Sequence, residues 1–411
     1  MKRGTIAILP VNAGRATDTS ASTISSALIG LREPPPLSLY IHLPWCVRKC
    51  PYCDFNSHEA RGEIPQEAYV DALIADAQGA LPLVWGRPIH TVFLGGGTPS
   101  LFAPRQIARL FDGLRALLGL RPDIEITLEA NPGATDAAHL AGFAAAGINR
   151  LSIGVQSFDD HLLTAIGRIH SADEASAIVR AANGLFERVN VDLMHALPGQ
   201  TAAQAVADVD RAIDLGAGHV SAYQLTLEPN TAFAATPPSG LPDADASAEI
   251  AEAVEARLDQ AGFEHYETSA HARRGQQCQH NLNYWTFGDY LGIGAGAHSK
   301  LTLQDRIVRQ ARPRHPRSYL ERAAGGLAMF EAETDVAADD LPFEFAMNAL
   351  RLHGGFPTRL FTERTGLPWA VLWTKLKPAI AQGLVGIEGA RVVPTPMGRR
   401  HLNTLLAGLL P

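Results

Sequence analysis

Short β-rich runs alternate with apolar-periodic stretches of helical length through most of this chain, and few architectures accept that pattern. The runs are "LSLYIHL", "TVFLGG", "EITLEAN", "RLSIGVQ", "VNVDLMHAL" and "HVSAYQLTL". Stretches such as "QEAYVDALIADAQGAL" and "PRQIARLFDGLRALLGL" lie between them. Strands separated by helices pair in parallel, because a parallel neighbour needs a crossover connection. Six such units in a row predict an α/β fold, a partial (β/α)6 barrel of TIM type over residues 37–300. Chemistry in such barrels gathers at the C-terminal ends of the strands. Polar and glycine-rich segments fall at those ends here: "GGGTP", "EANPG", "GVQSF" and "ALPGQ". Three cysteines follow the first run directly, so they are expected to face the same mouth.

The flanks read differently. Residues 1–36 begin with Lys2 and Arg3, but Pro10 ends the short apolar stretch that follows. That is poor for a signal peptide and only faintly like a transit peptide, so a flexible N-terminal extension is expected. The pattern changes from about residue 335, and residues 301–411 are assigned to a C-terminal helical, winged-helix-like module. There "DDLPFEFAMNALRL", "PTRLFTERTG", "PWAVLWTKLKPAIAQGL" and "MGRRHLNTLLAGLL" read as helices. Trp369, Leu372, Leu376 and Ile380 share a face of the third, and Gly389 is placed to turn two short strands. A net charge of −7 in 411 residues argues against a nucleic-acid partner. No apolar run is long enough for a transmembrane segment. Four cysteines are too few for a disulfide scaffold, and a reducing cytoplasm is the expected compartment.

The opening thiols stand in "HLPWCVRKCPYCDFNSH", where Cys46, Cys50 and Cys53 have the spacing C-x3-C-x2-C. A structural zinc protein would need a fourth ligand, with His42, His58 or Cys278 as candidates, and that alternative stays open. A four-iron cluster held by three thiolates instead leaves one iron with an open coordination position. C-x3-C-x2-C before an aromatic-rich loop, joined to "GGGTP" at 95–99, resembles the radical SAM superfamily. The resemblance implies a [4Fe-4S] cluster on Cys46, Cys50 and Cys53, with the amino and carboxylate groups of S-adenosylmethionine (SAM) on the fourth iron. It also implies reductive cleavage of the sulfonium to a 5′-deoxyadenosyl radical. Glycines at 95–97 let backbone groups approach such a ligand, although a plain tight turn would also use them.

"SLYIHLPWCVRKCPYCDF", "FLGGGTPSLF", "LEANPG", "RLSIGVQSF", "VNVDLMHALPGQ" and "YLGIGAGAHS" resemble the branch holding oxygen-independent coproporphyrinogen III dehydrogenase and its relatives. The likeness covers about residues 37–400. It implies that Tyr40 and Tyr52 lie beside SAM, and that Gly96, Gly97 and Thr98 line its methionine end. Glu129 would accept a hydrogen bond from a hydroxyl or amine, and Gln156, Arg168 and Asp192 would contact a second SAM. Glu129 and Asp192 could equally be caps, and Arg168 a surface residue.

The dehydrogenase has a further cysteine two residues after the third, where this chain has Phe55. "CQHNLNYWTFGDYLGIGAGAHS", with "HNLNYW" at 280–285, resembles instead the HemW-type haem chaperones. That likeness implies haem as bound cargo, a haem-accepting partner (a membrane respiratory enzyme is a candidate), an electron donor for the cluster, and no catalytic residues for the dehydrogenase reaction. His280, Asn281, Tyr284 and Trp285 are then the haem candidates, imidazole being a common axial ligand and the aromatics able to pack a porphyrin. The same run could be a satisfied structural network. His42, His195 and His298 could also reach the mouth, and the sequence does not choose the axial ligand. Cys278 is most simply a small buried residue. The dehydrogenase itself and the zinc protein stand as alternative functions.

Overall fold

A computed structural model describes residue 31 and residues 33–410. The expectation of a flexible extension over 1–36 therefore falls largely outside the described residues.

The first strand, β1 (Leu37–Leu43), leads into a loop bounded by two short paired strands, β2 (Trp45–Cys46) and β3 (His58–Glu59). Helix α1 (Gln66–Val84) then returns the chain to β4 (Ile89–Gly96). The unit repeats through α2 (Pro104–Leu117), β5 (Leu120–Ala130), α3 (Ala137–Ala145) and β6 (Arg150–Gln156). Next come α4 (Asp160–Ala165), α5 (Ala172–Asn183), β7 (Arg188–His195), α6 (Ala202–Asp214) and β8 (His219–Gln224). These six strands are parallel neighbours in chain order, as the alternation requires.

The chain continues through α7 (Ala232–Ala235), α8 (Ala244–Gln260), β9 (Glu264–Glu267), β10 (Ala270–Ala272) and α9 (Gln279–Trp285). After them β11 (Asp289–Ile293) pairs in parallel with β1. Strands β12 (His298–Thr302) and β13 (Ile307–Ala311) extend that edge antiparallel, followed by α10 (Pro316–Ala324) and the last strand of the sheet, β14 (Ala332–Asp335). The sheet has twelve strands and stays open between β8 and β11, a partial barrel.

Period-two alternation sorts the strand residues. On β1, Leu37, Leu39, Ile41 and Leu43 pack outward in the main apolar core. Ser38, Tyr40 and His42 take the opposite, inner face. The same inner face carries Glu125, Thr127 and Glu129 on β5, Ser152 and Gln156 on β6, and Asn190 and Asp192 on β7. Helices cover the apolar side; on α2 the buried Ile107, Leu110, Phe111 and Leu114 form one stripe. Capping boxes at Ser171–Glu174 and Thr201–Gln204 start α5 and α6 at the mouth.

A second apolar core gathers mainly from Leu341 onward, with Phe287 and Ile307 joining it from earlier in the chain, and holds Phe345, Phe356, Phe361, Leu372 and Leu376. It joins α11 (Leu341–Ala349), β15 (Phe356–Pro357), α12 (Thr358–Thr365) and α13 (Trp369–Ala381). The hairpin β16 (Val385–Glu388) and β17 (Arg391–Pro394) turns at Gly389 as expected. The final segment forms two helices, α14 (Pro396–Arg400) and α15 (Leu402–Ala407), where the sequence suggested one. His401 breaks them with φ −115 and ψ 36. The expected division at 300/301 falls inside β12, because hydrogen bonding carries the sheet on to Asp335. The change of architecture comes where the second core starts.

Candidate functional site

The three cysteines lie on the loop between β2 and β3, and they are free thiols, each partly buried. Cys53 N–H donates to Cys50 O at 3.1 Å, and Lys49 Nζ donates to the carbonyls of Phe55 and Ser57. Asn56 Nδ2 ties the loop to the carbonyl oxygens of Ala295 (3.1 Å) and Arg314 (2.9 Å). Burial pushes the Cys46 and Cys53 thiols up from their ordinary pKa. Both therefore rest as neutral thiols and lose their protons when they ligate a metal.

The glycine loop after β4 closes onto this segment. Gly97 N–H donates to Leu43 O and Thr98 N–H to Trp45 O. A Cβ on Gly97 would stand 2.5 Å from Trp45 O, and one on Gly96, whose φ is +112, would stand 2.5 Å from the His42 ring. The glycines thus answer a packing demand of the cysteine loop, in addition to any ligand.

Across the mouth stand two half-buried carboxylates. Gly96 N–H donates to Glu129 Oε2 at 3.2 Å. Burial first, and the neighbouring Asp192 second, push Glu129 up to about 8. Asp192 is also raised by burial, against hydrogen bonds from Asn190 Nδ2 (2.8 Å) and Ser152 Oγ (3.3 Å). A pair of carboxylates resisting ionisation is a site that favours a cation. Gln156 ends β6 with φ +73, strained for a non-glycine residue, and its Oε1 accepts from Tyr223 OH at 2.8 Å. Arg168 reaches over from the turn after α4, with Nη1 3.5 Å from Cys50 Sγ.

These groups border one cavity of about 330 Å³. Its lining includes Cys46, Cys50, Tyr52 and Cys53 from the loop, Gly96, Gly97 and Thr98 from the turn, and Glu129, Gln156, Arg168 and Asp192 beyond. Tyr40 stands behind it, with its hydroxyl 3.0 Å from His42 Nδ1 and its ring stacked on Phe93. Asn131, Ser152, Met194 and Tyr223 also line the cavity and were missed. Their signal was their position on the inner strand faces and at the strand ends. The donor set suits a [4Fe-4S] cluster with SAM: three sulfurs on one side, two carboxylates awaiting a cation on the other.

A single zinc ion fits less well. Among the described residues no three His, Cys, Asp or Glu side chains converge on one ion position. Both ring nitrogens of His42 are engaged, by Tyr40 and by Asn56 O. Cys278 is fully buried beside Glu125, near the start of β5 and thus at the opposite end of the barrel. Neither His195 nor His298 lines the cavity.

The four haem candidates lie at that opposite end too, on α9. His280 is buried, its Nδ1 3.0 Å from Thr91 Oγ1, and burial lowers its pKa to about 3. Asn281 is partly buried. Tyr284 is exposed, its ring 5.1 Å from Tyr290, while the Arg351 guanidinium covers the Trp285 ring at 4.3 Å. A wider opening of about 600 Å³ adjoins α9, and its lining carries no Cys, Phe, Tyr or Trp.

Fold and site together define a radical SAM protein, and residues 40–212 match the model of the radical SAM superfamily. Residues 336–401 match the HemN C-terminal domain. The chain belongs to the HemW family. It is 49% identical over 374 residues to Heme chaperone HemW of Escherichia coli (strain K12), an alignment covering 90% of this chain and 97% of the relative. Against Heme chaperone HemW of Haemophilus influenzae the identity is 46% over 379 residues, covering 90% and 97%. Coproporphyrinogen III oxidase (HemN) from Escherichia coli, a radical SAM enzyme of solved structure, superposes with TM-score 0.78 and 24% identity. That match covers 93% of this chain and 92% of the other, and it shows the shared fold.

Proposed function

We propose that this protein is a haem chaperone on a radical SAM scaffold, binding a [4Fe-4S] cluster, SAM and haem, and passing haem to an acceptor protein. The observation that carries the reading is the mouth cavity, which joins three free thiols to the Glu129–Asp192 pair, in a chain nearly half identical to proteins named haem chaperone. Cys46, Cys50 and Cys53 hold the cluster. When bound, the cluster offers one iron with an open position for SAM.

The remaining roles belong to the chain. Glu129 accepts from the amino group of SAM, and the Gly96–Thr98 backbone borders the methionine end. Tyr52 packs against the ligand, while Tyr40 orients His42 behind it. Gln156 and Asp192 frame the far half of the cavity, and Arg168 borders it beside Cys50. Haem occupies a separate surface at α9, formed by Asn281, Tyr284 and Trp285, and ligation by His280 requires its ring to leave Thr91. The partners are a haem acceptor and an electron donor. Free thiols suit a reducing cytoplasm, and among the described residues no helix is long and apolar enough to cross a membrane.

Anoxically purified protein tests this. Four irons with matching acid-labile sulfide, a visible spectrum that changes on haem titration, and no turnover of coproporphyrinogen III are expected. Protoporphyrinogen and 5′-deoxyadenosine appearing together would instead establish the dehydrogenase. Zinc without sulfide would remove the cluster.

A further inference from the structure

We propose that Arg168 sets the reduction potential of the cluster through a charged hydrogen bond to the Cys50 sulfur. The inference rests on the cluster assignment made above. Arg168 Nη1 lies 3.5 Å from Cys50 Sγ, and Nη2 donates to Gly154 O at 2.5 Å. The second bond anchors the guanidinium to β6, so the group cannot swing from the sulfur without losing it. Its Nε is buried with no partner. The guanidinium therefore spends its hydrogen bonds on a sulfur and a carbonyl.

The backbone imposes the approach. Gly167 has φ +74, and a Cβ there would stand 2.9 Å from Pro51 Cδ. The turn after α4 therefore presses on the loop immediately beside Cys50. Arg168 N–H donates to Leu163 O at 2.9 Å and closes that turn. From the other side, Phe233 N–H donates to Pro51 O at 3.0 Å, and the Phe233 ring lies 6.4 Å from Tyr52. The contact is thus clamped between α7 and the turn after α4.

The three thiols differ in their neighbours. Ser57 Oγ lies 3.8 Å from Cys53 Sγ, and Thr98 and Ser57 are the hydroxyl neighbours of Cys46. Lys49 near Cys53 is committed to two carbonyls. Cys50 has a guanidinium. Reduction adds negative charge to the cluster, so a cation donating to a ligand sulfur stabilises the reduced form and raises the potential. The same contact makes the reduced cluster a weaker electron donor to a bound sulfonium.

Potentiometric titration followed by electron paramagnetic resonance, on anoxic protein without SAM, tests the assignment. Arg168→Gln with full iron and sulfide is expected to reduce at a more negative potential than wild type. Arg168→Lys should fall between them, and Ser57→Ala should shift less than Arg168→Gln. A Gln variant with a full cluster and an unchanged midpoint overturns the proposal. If the Gln variant loses its cluster, the Lys variant decides: a midpoint below wild type supports the role, and coincidence overturns it. Wild-type protein that assembles no cluster defeats the earlier reading, and this one with it.

Discussion

At the mouth, Glu129 accepts from Gly96 N–H; nearer the start of the same strand Glu125, although it lines the wider opening, accepts from several donors. Glu125 accepts from Arg188 Nη1 at 2.8 Å and from the N–H groups of Gln279 (3.2 Å) and His280 (3.1 Å). Asn190 Oδ1 lies 2.6 Å from His219 Nδ1, whose Nε2 is 2.8 Å from Tyr266 OH. Thr91 bridges Ser38 Oγ (2.7 Å) and His280 Nδ1 (3.0 Å). The strands present a polar inner face at both ends, and α9 makes the difference. Its free N–H groups and side chains satisfy the lower end, as a helix start does for a carboxylate. At the mouth Glu129 has the Gly96 N–H as its donor, and burial with Asp192 beside it raises its pKa. Of two similar polar layers, the one beside the three thiols is the candidate site.

Variants at the two ends should therefore fail in different ways. The largest effect is expected from Cys46→Ala, Cys50→Ala or Cys53→Ala, each abolishing the four-iron cluster while leaving the circular dichroism of the fold. Retention of full iron and sulfide in all three would break the comparison at its mouth end. Glu129→Gln should weaken SAM binding by about 2 kcal/mol, roughly thirtyfold in Kd, by calorimetry.

The pH dependence of that binding follows from Glu129. The amino N–H of SAM donates best to the ionised carboxylate, whose pKa in the ligand-free site is raised to about 8, so affinity should rise between about pH 7 and pH 9. The Gln variant should lose that slope. The sign reverses for stability without ligand. A carboxyl raised from 4.5 to about 8 favours the fold most at low pH, and this share is lost as pH rises through about 8.

The lower end should show the converse. Glu125→Ala leaves Arg188 and two helix N–H groups without their acceptor and should cost about 3 kcal/mol of stability in urea unfolding, with cluster content unchanged. His280→Ala should cost about 1–3 kcal/mol through its cavity and the lost Thr91 bond. Haem affinity unchanged in that variant would remove His280 from haem binding and leave it a structural plug. The smallest effect belongs to Phe55→Ala, 60% exposed, which should stay within about 0.5 kcal/mol of wild type and keep its cluster.

Much of the mouth was legible because its residues are local in sequence or carried by strand ends. Cys46, Cys50 and Cys53 announce themselves by spacing, and Gly96, Gly97 and Thr98 by following a strand. Ser152 and Tyr223 were missed, since an alternating polar residue on a barrel strand looks alike whether it lines a cavity or a sealed core. Tyr40, expected beside the ligand, stands one residue back on His42. "HNLNYW" was read for its side chains, yet its place depends on contacts with Ser38, Thr91 and Glu125, all more than 150 positions away. The reach of the sheet past 300/301 was hidden for a similar reason, because a change of pattern does not reveal which strand hydrogen-bonds to which.

Period-two and helical periodicity, with one cluster of thiols, were enough to prescribe a parallel α/β barrel with its chemistry at the strand ends, because those signals arise from neighbours along the chain. Which carboxylates of the polar interior are tied up by helix N–H groups, and which guanidinium meets which sulfur, was settled only by folding. Those outcomes depend on α9 and the turn after α4 crossing the barrel to strands far away in sequence, and hydrogen bonds over such separations leave no periodic trace.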